Sequence, residues 1–109
     1  MGTASLDWCA DRWGVRADPR RLRVNIVFSS EEPFIEESWV GRSLVIGGTQ
    51  LRVVERIPRC RMIDIDQDGA RAQGRWLKHL AEGRDMSLAM YADVARSGVV
   101  RVGDHVTVR

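Results

Sequence analysis

Cys60 stands between Arg59 and Arg61, two residues past Pro58. A proline cannot donate to a β-ladder, so regular strand pairing is expected to end there and leave the cysteine in a break. Two flanking guanidinium groups favour the thiolate, the form that acts as a nucleophile and ligates thiophilic metals. An inert loop cysteine fits the same residues. Even so, Cys60 is the side chain best placed to sit at the centre of any chemistry in this chain. The other cysteine, Cys9, falls on the apolar face of an expected helix, where a small buried hydrophobe explains it.

Arg23 and Asn25 are two apart in a segment that alternates apolar and polar, so they share its polar face. A guanidinium fork beside an amide is a natural grip for a phosphate or a heterocycle edge, although a merely polar exposed face would carry the same pair. Asp64, Asp66, Asp68 and Gly69 form D-x-D-x-D-G, the opening of a calcium loop. The twelfth position, which should be a bidentate glutamate, is Arg75, so a solvated acidic turn is expected instead. His79 and His105 sit in no metal-binding spacing, and no phosphate-binding loop, nucleophile elbow or dinucleotide fingerprint occurs.

These residues need elements to hold them. Leu6, Cys9 and Trp13 form one apolar face of a helix over residues 5–14, with Thr3 or Ser5 to cap its start and Gly14 to end it. Asp18-Pro19 marks a turn. The alternation of Leu22, Val24, Ile26 and Phe28 predicts a half-buried strand over 22–28, with an acidic loop after it over 29–38. Residues 44–46, the Gly47-Gly48 turn and 49–55 read as a β-hairpin. A further strand is expected at 62–65, a loop at 67–74 and a helix at 75–82, with Trp76, Leu77 and Leu80 inward. A strand at 87–94 and a closing pair of 99–102 with 105–108 complete the chain. Six or so short strands and two short helices make the fold mainly β, a small barrel or part of one.

The chain has 109 residues, enough for one domain, here 1–109, and too few for two. Its 44% apolar content can build a core, and 29% charged residues argue against disorder. Net charge is +2, carried by sixteen arginines and the single Lys78. Base composition of the gene accounts for that bias as readily as anion recognition does. The arginines are scattered and not interleaved with aromatics, so nucleic acid is not an expected partner. No apolar run reaches membrane-spanning length, and residues 1–10 lack the pattern of a signal peptide. With two cysteines and no disulfide framework, the reducing cytoplasm is the expected compartment.

The segment Asp18-Pro19-Arg20-Arg21-Leu22-Arg23-Val24-Asn25-Ile26-Val27 resembles the D-P-R-R-F-R-x-N-I stretch of MOSC domains, named for the C-terminal domain of molybdenum cofactor sulfurase. Pro33-Phe34, Glu37-Ser38-Trp39-Val40-Gly41 and Leu44-Val45-Ile46-Gly47 are similar to the next stretch of that family. Pro58-Arg59-Cys60 with Asp64 to Gly69 resembles the R-C region, and Tyr91-Ala92-Asp93-Val94 and Val100 to Asp104 resemble the closing strands. The segments occur in family order and cover nearly the whole chain. They match the C-terminal part of the family domain, with no counterpart of its N-terminal strands, so a closed barrel and an open one are both compatible with the pattern.

The resemblance implies a β-barrel domain that carries or handles molybdenum cofactor (molybdopterin). By position, Cys60 is the molybdenum ligand and the catalytic residue, as in the amidoxime-reducing branch. Arg23 and Asn25 contact the pterin and its phosphate, and Arg59 lies beside the ligand. The implied chemistry is reduction of N-hydroxylated compounds with electrons from a redox partner protein. A truncated remnant of the domain, serving as a non-catalytic carrier of cofactor or sulfur or as an interaction module, is the alternative. Missing strands would leave a sheet edge open, so a homodimer or a complementing chain is expected. No pyridoxal phosphate is expected here, since the chain shows no sign of the lyase domain that larger relatives carry.

Overall fold

The computed structural model describes residues 1–14, 18–65 and 75–109. The loop expected at 67–74, together with Asp66, Asp68 and Gly69, lies outside these. Helix α1 spans Thr3–Trp13, starting two residues earlier than its apolar face suggests. Gly14 ends it in the left-handed conformation (φ 69°), its N–H reaching the Ala10 carbonyl at 2.9 Å. Neither Thr3 nor Ser5 caps the start. Gly2 holds that position, and Ser30 Oγ, from across the chain, accepts the Ala4 N–H at 3.0 Å. Helix α2 spans Trp76–Gly83 and buries Trp76 and Leu80 completely.

Among the described residues four strands form one antiparallel sheet: β1 (Ser43–Ile46), β2 (Thr49–Pro58), β3 (Ser87–Arg96) and β4 (Val106–Val108). Their order is β3-β2-β1-β4. The hairpin falls where the glycine pair predicts, with Ile46 opposite Thr49 and Gly47 at φ 55°. Among the described residues β3 and β4 stay unpaired on their outer sides, so the sheet is open and does not close into a barrel.

Three expected strands do not form. Residues 22–28 do not join the sheet. The chain makes a 3-10 turn at Pro19–Leu22, and Arg23 closes it in the left-handed region at φ 54°. That single torsion diverts the backbone from a ladder. The alternation still holds: Leu22, Val24, Ile26 and Phe28 turn inward while Arg23 and Asn25 are exposed. Among the described residues the segment's one bridge joins Phe28 to Gly2. Residues 62–65 belong instead to a 3-10 turn at Arg61–Asp64 and its exit. Residues 99–102 form no strand. β4 pairs with β1 in their place, Leu44 facing Val108.

Among the described residues two apolar clusters hold the elements together. One joins Cys9, Leu22, Ile63, Trp76, Leu80 and Leu88 beneath the two helices. The other joins Leu44, Ile46 and Val53 on the sheet face, with Ile26, Trp39 and Met90 packed against them. A fully buried leucine contributes about 1.5 to 3 kcal/mol. Trp13 links the helices by meeting Trp76 edge-on at 5.1 Å and stacking on His79 at 5.1 Å, so His79 is a packing residue.

Candidate functional site

Cys60 leaves the end of β2 with extended backbone and opens the Arg61–Asp64 turn, its carbonyl accepting the Ile63 N–H at 3.1 Å. It is exposed and unbonded to another cysteine. Cys9 is its opposite. It is fully buried, and burial pushes its thiol up to about 12, with Arg84 opposing the shift and Glu36 adding to it. A thiol so shielded has no reactive form near neutrality.

Arg59 ties the fold together beside Cys60. Its backbone N–H donates to the Met86 carbonyl at 2.7 Å. Its Nε donates to the Leu88 carbonyl at 2.9 Å and its Nη1 to the Leu22 carbonyl at 2.7 Å. Burial pushes its pKa down, while Tyr91 and Cys60 act in the opposite direction. Nη2 is buried and has no hydrogen-bond partner among the described residues. The side chain is therefore a clamp across three segments with one donor nitrogen left over.

Arg23 and Asn25 both line a cavity of about 600 Å³ on the sheet face. Its floor is apolar, built from Leu44, Ile46, Leu51, Val53 and Met90, with Val24 and Ile26 also in its lining. The left-handed turn at Arg23, which costs about 1 to 2 kcal/mol in a residue with a Cβ, belongs to this wall. Arg59 and Cys60 are outside the cavity lining. Their link to it is the Arg59–Leu22 bond, which fixes the residue before Arg23.

Two buried polar residues, Glu36 and Thr49, also line this cavity, and no sequence pattern singles them out. Glu36 is 3% exposed; its Oε1 accepts from Ser5 Oγ at 2.8 Å and from the Gly2 N–H at 3.2 Å. Among the described residues its Oε2 has no partner, and neither has the hydroxyl of Thr49, which is 6% exposed. An unsatisfied buried polar group costs about 1 to 3 kcal/mol. Glu36 sits in a stretch read as an acidic loop, and no local pattern marks one glutamate of that loop as buried. Asp64, by contrast, is a remote helix cap. Its Oδ1 accepts from the Trp76 N–H at 2.8 Å and its Oδ2 from the Leu77 N–H at 3.2 Å. Among the described residues no group of three or more acidic, histidine or cysteine side chains could hold a metal ion.

The segments that carry the cavity, the clamp and the exposed cysteine are those of a known family. The chain matches the MOSC domain over residues 1–107, and it belongs to that family. It is 34% identical over 94 residues to a molybdenum cofactor sulfurase of Danio rerio, covering 80% of this chain and 11% of that protein. It is 28% identical over 89 residues to a molybdenum cofactor sulfurase of Bombyx mori, covering 82% of this chain and 11% of that protein. The chain therefore spans about a tenth of the length of these curated relatives.

Proposed function

We propose that this chain is a single MOSC domain that binds molybdenum cofactor, with Cys60 Sγ as the metal ligand. Arg23 and Asn25 hold the phosphate-bearing pterin, and Arg59 lies beside the ligand. The observation that carries the reading is the Arg59–Leu22 bond. It ties the neighbour of Cys60 to the residue preceding Arg23, and so couples the thiol to the cavity. The residues suit the group: an exposed thiol, the exposed Arg23 and Asn25 side chains, and a cavity within the size range of small-molecule sites. The metal centre would supply oxygen- or sulfur-transfer chemistry. The chain's own residues bind the anionic end, orient the heterocycle and fix the thiol.

Carriage of cofactor or sulfur, without turnover by this chain alone, is the favoured form of this reading. The open sheet and the names of the relatives support it. Reduction of N-hydroxylated compounds with electrons from a redox partner is the second form, supported by the Arg59-Cys60 pair. The outer edge of β3, unpaired among the described residues and with Val94 63% exposed, supports a homodimer or a complementing chain along that strand. A reducing cytoplasm suits an exposed free thiol.

Metal analysis of protein produced with a cofactor supply tests the binding. Molybdenum should accompany the wild type and be lost from Cys60→Ala with an unchanged melting temperature. Equal metal in both would overturn the ligand assignment. Turnover of benzamidoxime with a chemical reductant would favour the reductase form over the carrier form.

A further inference from the structure

We infer that Arg59 is the positioning residue for Arg23: its guanidinium holds two strained peptide groups in the left-handed conformation, one of them at Arg23. Among the described residues five residues other than glycine have positive φ: Arg23, Phe34, Asp85, Met86 and Ala89. The two carbonyls that the Arg59 side chain takes belong to Leu22 and Leu88. These are the residues directly before Arg23 and Ala89. The Arg59 backbone N–H takes the carbonyl of a third member of the set, Met86.

The pairing has a physical basis. A peptide group is planar, so the Leu22 carbonyl and the Arg23 N–H turn as one unit. The φ of Arg23, 54°, sets how that unit sits against the Arg23 Cα, and the φ of Ala89, 72°, does the same for the Leu88 carbonyl. Returning either φ to the extended region swings its carbonyl away from the guanidinium. The left-handed region is unfavourable for any residue with a Cβ. Hydrogen bonds from a charged donor are among the stronger ones in a fold, and here two of them oppose that strain. Residues 22–28 alternate as a strand does, so extended backbone is what residue 23 adopts once the hold is gone. The chain then enters 24–28 in another direction, and the part of the cavity wall formed by Arg23 and Asn25 is lost. The inference rests on the cofactor reading above only for what that wall holds. The torsions belong to the chain itself.

The order of glycine and alanine at residue 23 tests this on the whole chain. Arg23→Gly and Arg23→Ala both remove the guanidinium, so the difference between them reports the torsion. With Arg59 present, Arg23→Gly should have a folding equilibrium constant about threefold above that of Arg23→Ala, because only glycine is unstrained there. With Arg59→Met added to each, the order should reverse, since glycine is the costlier residue in ordinary backbone. Urea denaturation reads all four proteins. Alanine equal to or ahead of glycine with Arg59 present, or glycine still ahead with Arg59→Met, would overturn the inference. If the Arg59→Met chains fail to fold, Arg59→Lys is read by backbone carbon-13 chemical shifts. Its ammonium cannot span both carbonyls, so Arg23 or Ala89 should leave the left-handed region. Phe34, whose carbonyl accepts the Glu37 N–H, should keep its torsion as the internal control. Arg23 and Ala89 both unmoved would overturn the inference as well. None of these measurements involves metal, and molybdenum retention reports Cys60 separately, so the two readings fail independently.

Discussion

The guanidinium of Arg59 reaches the Leu22 carbonyl at 2.7 Å while its Nε holds the Leu88 carbonyl at 2.9 Å. One side chain pins the end of β2 to the start of β3 and to the turn ahead of Arg23. A lysine has a point charge and cannot span both carbonyls in this geometry. Arg59→Lys should therefore lower unfolding stability by about 2 to 4 kcal/mol. Urea denaturation checks this, and an unchanged midpoint would remove Arg59 from its role as clamp.

Asp64 caps α2 from twelve residues away, accepting from Trp76 and Leu77. Carboxylates at a helix N-terminus satisfy orphan N–H groups and complement the helix dipole. Asp64→Ala should cost about 1 kcal/mol. The loss should be the same with calcium or with chelator in the buffer. A calcium-dependent melting temperature in the wild type would contradict the capping role.

Burial holds the Cys9 thiol protonated until about pH 12. In the unfolded chain a cysteine ionises at about 8.5. The folded pKa is raised, so this contribution to stability is fully present below the unfolded value and is lost as pH climbs toward 12. The slope reaches about 1.4 kcal/mol per pH unit in that window. Cys9→Ala should flatten the alkaline limb of the stability curve relative to wild type. Parallel limbs, measured by urea titration from about pH 8 to 11 across that window, would exclude the effect.

Gly98 lies so close to the hairpin turn that an added Cβ would collide with the Gly48 carbonyl and stand 2.9 Å from the Thr49 nitrogen. Gly98→Ala must push the 97–100 segment off the turn and off the cavity wall, at about 1 to 3 kcal/mol. Gly83, at the end of α2, has nothing within 4 Å of such a Cβ. Gly83→Ala should be neutral or stabilising by up to about 1 kcal/mol. Thermal melts of the pair give the contrast, and equal shifts would refute it.

Glu36 and Glu37 are neighbours in one 3-10 turn, Ile35–Trp39, yet they have different fates. Glu36 is buried against Ser5 and Gly2, while Glu37 pairs with Arg84, whose guanidinium lies 3.6 Å from the ring centre of Phe34. Nothing local separates them, because burial depends on where α1 and α2 come to rest against the loop. Cys60 is legible as an exposed break after Pro58, and Cys9 as a buried hydrophobe, because proline chemistry and helical period are local. Arg59 is legible only as a charge beside the cysteine; that it commits two nitrogens to backbone carbonyls depends on residues 22 and 88.

Local sequence alone dictates the two helices, the Gly47-Gly48 hairpin, the β3 strand and the inward and outward faces of residues 22–28. Each follows from a short-range rule: the helical period, the torsions glycine permits, or alternation along extended chain. Tertiary contacts decide which extended segments pair. Residues 22–28 carry the alternation of a strand but meet no ladder after the left-handed turn at Arg23. Val106–Val108 leaves its neighbours in sequence to pair with β1. Alternation reports which face of a segment meets the core, whereas pairing needs a second backbone at hydrogen-bonding distance, and that is set by contacts far apart in the chain.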